Sequence, residues 1–114
     1  MPKQISPTSE LDRIFAALAD PTRRAVVERL CAGPLAVSEL AQQFEMALPS
    51  FTQHLQVLEA CGLVSSEKAG RVRTYRLETD TLSAAQEWMV GRRAEWETRC
   101  NQLDHYLKKM EKKS

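Results

Sequence analysis

The sequence has no apolar run near the roughly 18 to 20 residues that cross a bilayer, and Met1-Pro2-Lys3-Gln4 opens without the apolar segment of a signal peptide. No membrane partner is expected, and the chain is expected in the cytoplasm. It also lacks a glycine-rich phosphate loop and any nucleophile placed with a base and an orienting acid, so an enzyme is not expected. Cysteine is scarce: Cys31, Cys61 and Cys100 are odd in number and far apart, which suits neither a disulfide framework nor paired zinc ligands. Reduced thiols and no cofactor follow. Charge of one sign is missing too, because 16 Lys and Arg face 15 Asp and Glu, a net charge of only +1. A nucleic-acid role must therefore rest on local rather than overall charge. There is no internal repeat and no low-complexity segment.

What remains is an ordinary globular composition. With 114 residues, 43% hydrophobic and 27% charged, the chain can bury one modest core. The stretch through Pro2, Ser6, Pro7 and Thr8 has no apolar period and reads as a flexible tail over residues 1–8. Ser9 can cap a first helix with Leu11, Ile14, Phe15 and Leu18 on one face. Asp20-Pro21 restarts the chain into a second helix that buries Val27 and Leu30, and Gly33-Pro34 ends it. A third helix of about two turns carries Val37, Leu40, Ala41 and Phe44. After Glu45 to Ala47, a fourth carries Leu48, Phe51, Leu55 and Leu58 and stops at Gly62. Two short helices joined by a tight turn suggest helix-turn-helix. Leu63-Ser66 and Thr74-Leu77 then read as strands around Lys68-Ala69-Gly70-Arg71, a hairpin with a basic tip. From about Thr81 to Lys112 a long helix repeats Leu82, Met89, Trp96, Leu103 and Met110 every seven residues. Such a stripe packs along a partner helix. The second seam is interrupted by Arg92 or Arg93 and by Arg99, which favours a dimer interface over a free coiled coil.

On a helical wheel the fourth helix turns Leu48, Phe51, Leu55 and Leu58 inward and sends Pro49, Ser50, Gln53 and Gln56 outward, with Thr52 at the flank. Gln can pair with adenine through two hydrogen bonds, and Ser or Thr can bond base edges or phosphates, so this is the chemistry of a major-groove reader. Taken alone, the helix is better explained as a solvated polar face. The context favours DNA: Lys68, Arg71, Arg73 and Arg76 follow at once on the hairpin, where cations reach phosphates or the adjacent minor groove. The alternative is a helix-turn-helix module that binds protein without specific DNA binding, since a fold does not settle function.

Leu18-Ala19-Asp20-Pro21-Thr22-Arg23-Arg24, Val37-Ser38-Glu39-Leu40-Ala41, Pro49 to Leu58, and Gly70 to Leu77 together resemble the ArsR/SmtB-type winged helix-turn-helix regulators over roughly residues 10 to 80. The resemblance implies a mostly α fold with a small β-hairpin. Residues 9–80 would form the winged helix-turn-helix DNA-binding domain, and residues 81–114 a long C-terminal dimerisation helix in the same compact domain. It further implies a homodimer on a palindromic double-stranded DNA operator, repressing transcription until an inducer, unknown here, lowers DNA affinity. The expected DNA-binding residues are Pro49, Ser50, Thr52, Gln53, Gln56, Lys68, Arg71 and Arg73; the expected dimer-interface residues are Leu11, Leu82, Met89, Trp96, Leu103 and Leu107.

Metal-sensing members of the family place two thiols in a Leu-Cys-Val-Cys-Asp-Leu pattern. Here Leu35-Ala36-Val37-Ser38-Glu39-Leu40 puts Ala36 and Ser38 at those positions, and neither replaces a soft sulfur ligand. The terminal helix offers only His105, with Asp104 and Glu111, so no metal is expected. His54 is read as a packed, hydrogen-bonded residue, and Cys31 and Cys61 as core fillers. Cys100, beside Glu97 and Arg99, would act as a thiol switch only with a lowered pKa and solvent access. Trp88, Trp96 and Tyr106 are read as interface core before an inducer pocket.

Overall fold

The structure, a computed structural model, describes residues 9–113; the tail expected at residues 1–8 lies outside the described residues. Helix α1 spans Glu10–Leu18, and Ser9 caps it by accepting the Asp12 backbone N–H at 3.2 Å. Helix α2 spans Pro21–Leu30, with Asp20 Oδ2 accepting the Arg23 N–H at 3.0 Å and Pro21 in the first turn. Strand β1, Leu35–Ala36, leads directly into α3, Val37–Ala41, whose Glu39 carboxylate accepts the Ala36 N–H at 2.9 Å. Helix α4 spans Leu48–Ala60, strands β2 and β3 span Val64–Ala69 and Val72–Leu77, and α5 spans Thr79–Lys113.

The sheet is antiparallel in the order β1-β3-β2. Sequence periodicity placed the hairpin but not β1, because two residues carry no detectable alternation; the strand exists through pairing of Leu35 with Tyr75 and Ala36 with Thr74. The hairpin strands run further toward the tip than the apolar pattern indicated, since Glu67, Lys68, Ala69, Val72 and Arg73 pair as an exposed ribbon. Ala69 pairs with Val72, leaving a two-residue turn in which Gly70 has φ +62 and Arg71 keeps a negative φ. That is a type II′ turn, which matches strand twist and favours glycine at its first central position.

Buried Ile14, Val26, Leu30, Leu40, Phe51, Leu55, Leu58 and Leu63 join α1 to α4 and the base of the sheet in one core, which Tyr75 and Ala85 close from β3 and α5. Each large apolar side chain buried in this way contributes about 1.5–3 kcal/mol. Helix α3 is shorter than expected, ending at Ala41, yet Phe44 still reaches the core through the following turn. Helix α5 begins at Thr79, slightly before the expected Thr81, and its 35 residues extend about 52 Å at 1.5 Å per residue. Only its first turns touch the body; residues 92–112 are exposed throughout. This projecting helix gives the chain extents of 75 × 41 × 25 Å.

Two side chains depart from expectation. Leu48, expected inward with Phe51, is 56% exposed, because it lies in the first turn of α4, ahead of the core that Phe51 enters. Cys31 caps the C-terminus of α2 and is exposed, so it fills no core space; Cys61 is half-buried against the core, with its thiol on the Leu58 carbonyl at 3.3 Å.

Candidate nucleic-acid interface

Helix α4 is held on three sides, and its fourth faces solvent. Phe51, Leu55 and Leu58 anchor it in the core, with Phe51 against Phe44 at 5.0 Å between ring centroids. A second anchor stands at His54. Arg23 Nε donates to the Ala17 carbonyl at 2.8 Å, Nη2 to the Ala16 carbonyl at 3.3 Å, and Nη1 to His54 Nδ1 at 3.2 Å. One guanidinium thus satisfies carbonyls at the end of α1 and fixes a ring on α4. Because Arg is donor-only, His54 Nδ1 is the acceptor in this contact. His54 is therefore packed and hydrogen-bonded, as expected. Asp20 Oδ2 lies 3.8 Å from the same ring nitrogen. Its carboxyl is held below the ordinary carboxylate value first by the Arg23 N–H, against a partial opposing cost of burial, and then by the nearby Arg23 guanidinium.

The third anchor joins α4 to the wing formed by β2 and β3. Ser66 Oγ donates to Glu59 Oε2 at 2.8 Å, and Arg73 Nη1 donates to Ser66 Oγ at 2.8 Å. Tyr75 sits beneath this relay; burial raises its pKa first, and the Glu59 charge adds to that. The base of the wing is tied separately, with Ser65 Oγ donating to Glu78 Oε2 at 2.5 Å and Arg76 Nε donating to Ser65 Oγ at 3.1 Å. Arg76 also lies 3.6 Å from Glu78, so it belongs to the base of the hairpin rather than to its tip. Gly62, which follows α4 at φ +82, permits the turn into this sheet; a Cβ there would stand 3.3 Å from Thr81 Oγ1.

These anchors leave Pro49, Ser50, Gln53 and Gln56 exposed and Thr52 half-buried at the edge. Among the described residues, the side chains of Ser50, Gln53 and Gln56 hold no hydrogen bond. Lys68, Arg71 and Arg73 are exposed on the wing, and Lys68 and Arg73 are direct register partners. Like charges opposite one another weaken a sheet, a cost that a bound anion removes. Between the wing, α3 and the start of α4 lies a cleft of about 260 Å³ bordered by Val37, Leu48, Arg71, Val72 and Arg73. Periodicity alone did not indicate Arg23, Glu59 or Ser66. Their roles depend on partners distant in sequence.

The expected dimer-interface residues divide into two groups. Leu11 and Leu82 are half-buried, Leu82 against its own core, whereas Met89, Trp96, Leu103 and Leu107 are 49–66% exposed. Trp88 packs edge-on against Phe15 at 5.5 Å and so links α5 to α1. The residues available for a metal do not fit one. Ala36 and Ser38 offer no thiolate, and among the described residues no group of three or more His, Cys, Asp or Glu could hold an ion. Cys100 is exposed. No described helix is long and apolar enough to cross a membrane.

Comparison with known proteins gives this geometry its family. A family model described as a helix-turn-helix domain matches residues 18–67. The HTH-type transcriptional regulator Rv2034 of Mycobacterium tuberculosis is 51% identical over 73 residues, 64% of this chain and 68% of that protein. The solved ArsR family transcriptional regulator RHA00566 is similar at 49% identity and a TM-score of 0.75, over 78% of this chain and 98% of that one. The chain belongs to the ArsR/SmtB-type family of winged helix-turn-helix regulators. In this ArsR-family chain α3 and α4 are the helix-turn-helix and the β2-β3 hairpin is the wing. The transcriptional repressor SdpR of Bacillus subtilis is 30% identical over 81 residues, 71% of this chain and 90% of that protein.

Proposed function

We propose that this regulator is a homodimeric, sequence-specific DNA-binding repressor acting on a palindromic operator, and so works in the cytoplasm. The observation that carries this reading is the exposed, hydrogen-bond-free strip of Ser50, Gln53 and Gln56 on a helix anchored on its other sides, with a basic wing hydrogen-bonded beside it. A reading helix must be rigid in its backbone and unoccupied on its outer face, because only unpaired side-chain donors and acceptors can exchange water for base edges. Pro49, Ser50, Thr52, Gln53 and Gln56 enter the major groove. Lys68, Arg71 and Arg73 neutralise backbone phosphate or reach the neighbouring minor groove. Two copies related by two-fold symmetry present two such surfaces to a palindrome. Leu11, Leu82, Met89, Trp96, Leu103 and Leu107 supply the apolar contact between the copies, since a helix this exposed and this rich in large apolar residues is not stable alone in water. A module that binds only protein would have no need of paired cations on a wing tip.

The reading is tested by titrating DNA from upstream of the protein's own gene, with scrambled DNA as control, in moderate salt. Tight binding to a palindromic site is expected. Gln53→Ala is expected to weaken it by about 1–3 kcal/mol and to relax preference at one position per half-site. Equal affinity for scrambled DNA, followed by a genome-wide binding selection that returns no motif, would move the chain to the protein-binding class.

A further inference from the structure

We infer that Leu48 is a specificity-determining residue that recognises a thymine by its C5-methyl group; this rests on the proposed DNA-reading function. Leu48 is the first residue of α4 and is 56% exposed, although its spacing from Phe51, Leu55 and Leu58 would send it to the core. It borders the cleft of about 260 Å³ between α4, α3 and the wing, where its neighbours include Val37 and Val72, the latter 52% exposed. Arg71 and Arg73 stand at the same cleft. Apolar walls flanked by guanidinium groups suit a ligand that is apolar at one point and anionic beside it, which is how DNA presents a thymine methyl next to its own backbone phosphates.

Position on the helix favours a base over a sugar. Reading helices contact base edges with their N-terminal residues, and Leu48 shares the first turn with Pro49 and Ser50. On the wheel it lies on the flank of α4 that also carries Thr52 and Glu59, the flank to which Ser66 and Arg73 tie the wing. The wing and Leu48 therefore face one edge of the bound groove together. Among the four bases only thymine offers a methyl group in the major groove, so an apolar side chain there discriminates without a hydrogen bond. Val37 and Val72 back the leucine and shield the methyl from water.

The test uses the full-length protein and an operator chosen by selection from random DNA, in which deoxyuridine replaces each thymine in turn and so removes only the methyl group. Expected is one thymine per half-site whose replacement weakens wild-type binding about fourfold, the scale of one buried methyl group. Leu48→Ala should bind the thymine operator about tenfold less well and respond no further to deoxyuridine at that position. Leu48→Met, which keeps the apolar bulk, should retain the discrimination. Because Leu48 is exposed, thermal unfolding of both variants should match wild type, so that a loss of binding is not a loss of fold. Equal losses on thymine and deoxyuridine operators, or no thymine that responds, would overturn the inference while leaving DNA reading intact. A selection that enriches no sequence would overturn both.

Discussion

Helices α4 and α5 both carry large apolar residues at helical spacing, and they end in opposite environments. Phe51, Leu55 and Leu58 on α4 are at most 1% exposed, while Met89, Trp96, Leu103 and Met110 on α5 are 50–66% exposed. The difference lies in what surrounds each helix. Helix α4 is enclosed by α1, α2 and the sheet, whereas α5 leaves the body after Ala85 and Trp88, and its residues 92–112 are exposed. The same sequence signal therefore marks an interior in one helix and an unpartnered surface in the other. The polar faces differ in the opposite sense. Helix α4 leaves Ser50, Gln53 and Gln56 unpaired, while the solvent side of α5 is laced by Arg92–Glu95, Arg93–Glu97 and Lys108–Asp104 pairs. Those i,i+3 and i,i+4 pairs belong to a surface that stays in water.

Four measurements press on that contrast, in decreasing order of expected effect. Phe51→Ala should cost about 3–5 kcal/mol of stability by opening a cavity beneath α4, seen as a large fall in the urea midpoint, and DNA binding should go with it. Trp96→Ala, by contrast, should leave the unfolding of the monomer unit nearly unchanged and weaken self-association by about 2 kcal/mol or more, read by sedimentation equilibrium. A large loss of fold with unchanged association would mean that α5 packs back on its own body. Loss of the Asp20 carboxylate should be smaller: Asp20→Ala removes the cap of α2 and is expected to cost about 1 kcal/mol in chemical unfolding at neutral pH. Because the folded value of Asp20 is depressed below its ordinary 3.8, that contribution is fully present above it and disappears as pH falls through the depressed value. The gap between wild type and Asp20→Ala should therefore close in acid and not in base. Smallest in stability is Arg71→Ala at the exposed wing tip, expected to leave unfolding unchanged. It should instead weaken binding to all DNA sequences and reduce the salt slope by about 1. A loss confined to one sequence would assign Arg71 to base reading.

Much of this arrangement was legible in the sequence. Ser9, Asp20-Pro21 and Gly62 act locally, each satisfying or releasing backbone groups within a few residues, so their capping and turning roles could be read from neighbouring residues alone. The outward set on α4 was legible for the same reason, since a wheel needs only spacing. The wheel failed at Leu48, where burial depends on whether the core extends to that turn, and the reading of Cys31 as a core filler failed because the end of α2 takes it out to solvent. Strand β1 and the Arg23–His54 and Glu59–Ser66–Arg73 links were not legible, because each joins segments that meet only after folding.

The sequence by itself determined the helices, the hairpin turn at Gly70, the outward polar face of α4 and the family, because periodicity, capping and turn chemistry are short-range properties of neighbouring residues. Tertiary structure alone decided which cations stay at the wing tip and which are tied down at its base, how the wing is locked to α4, and that Leu48 faces a cleft instead of the core. Those outcomes depend on which distant side chains come within hydrogen-bonding or van der Waals reach, and spacing along a chain does not encode that distance.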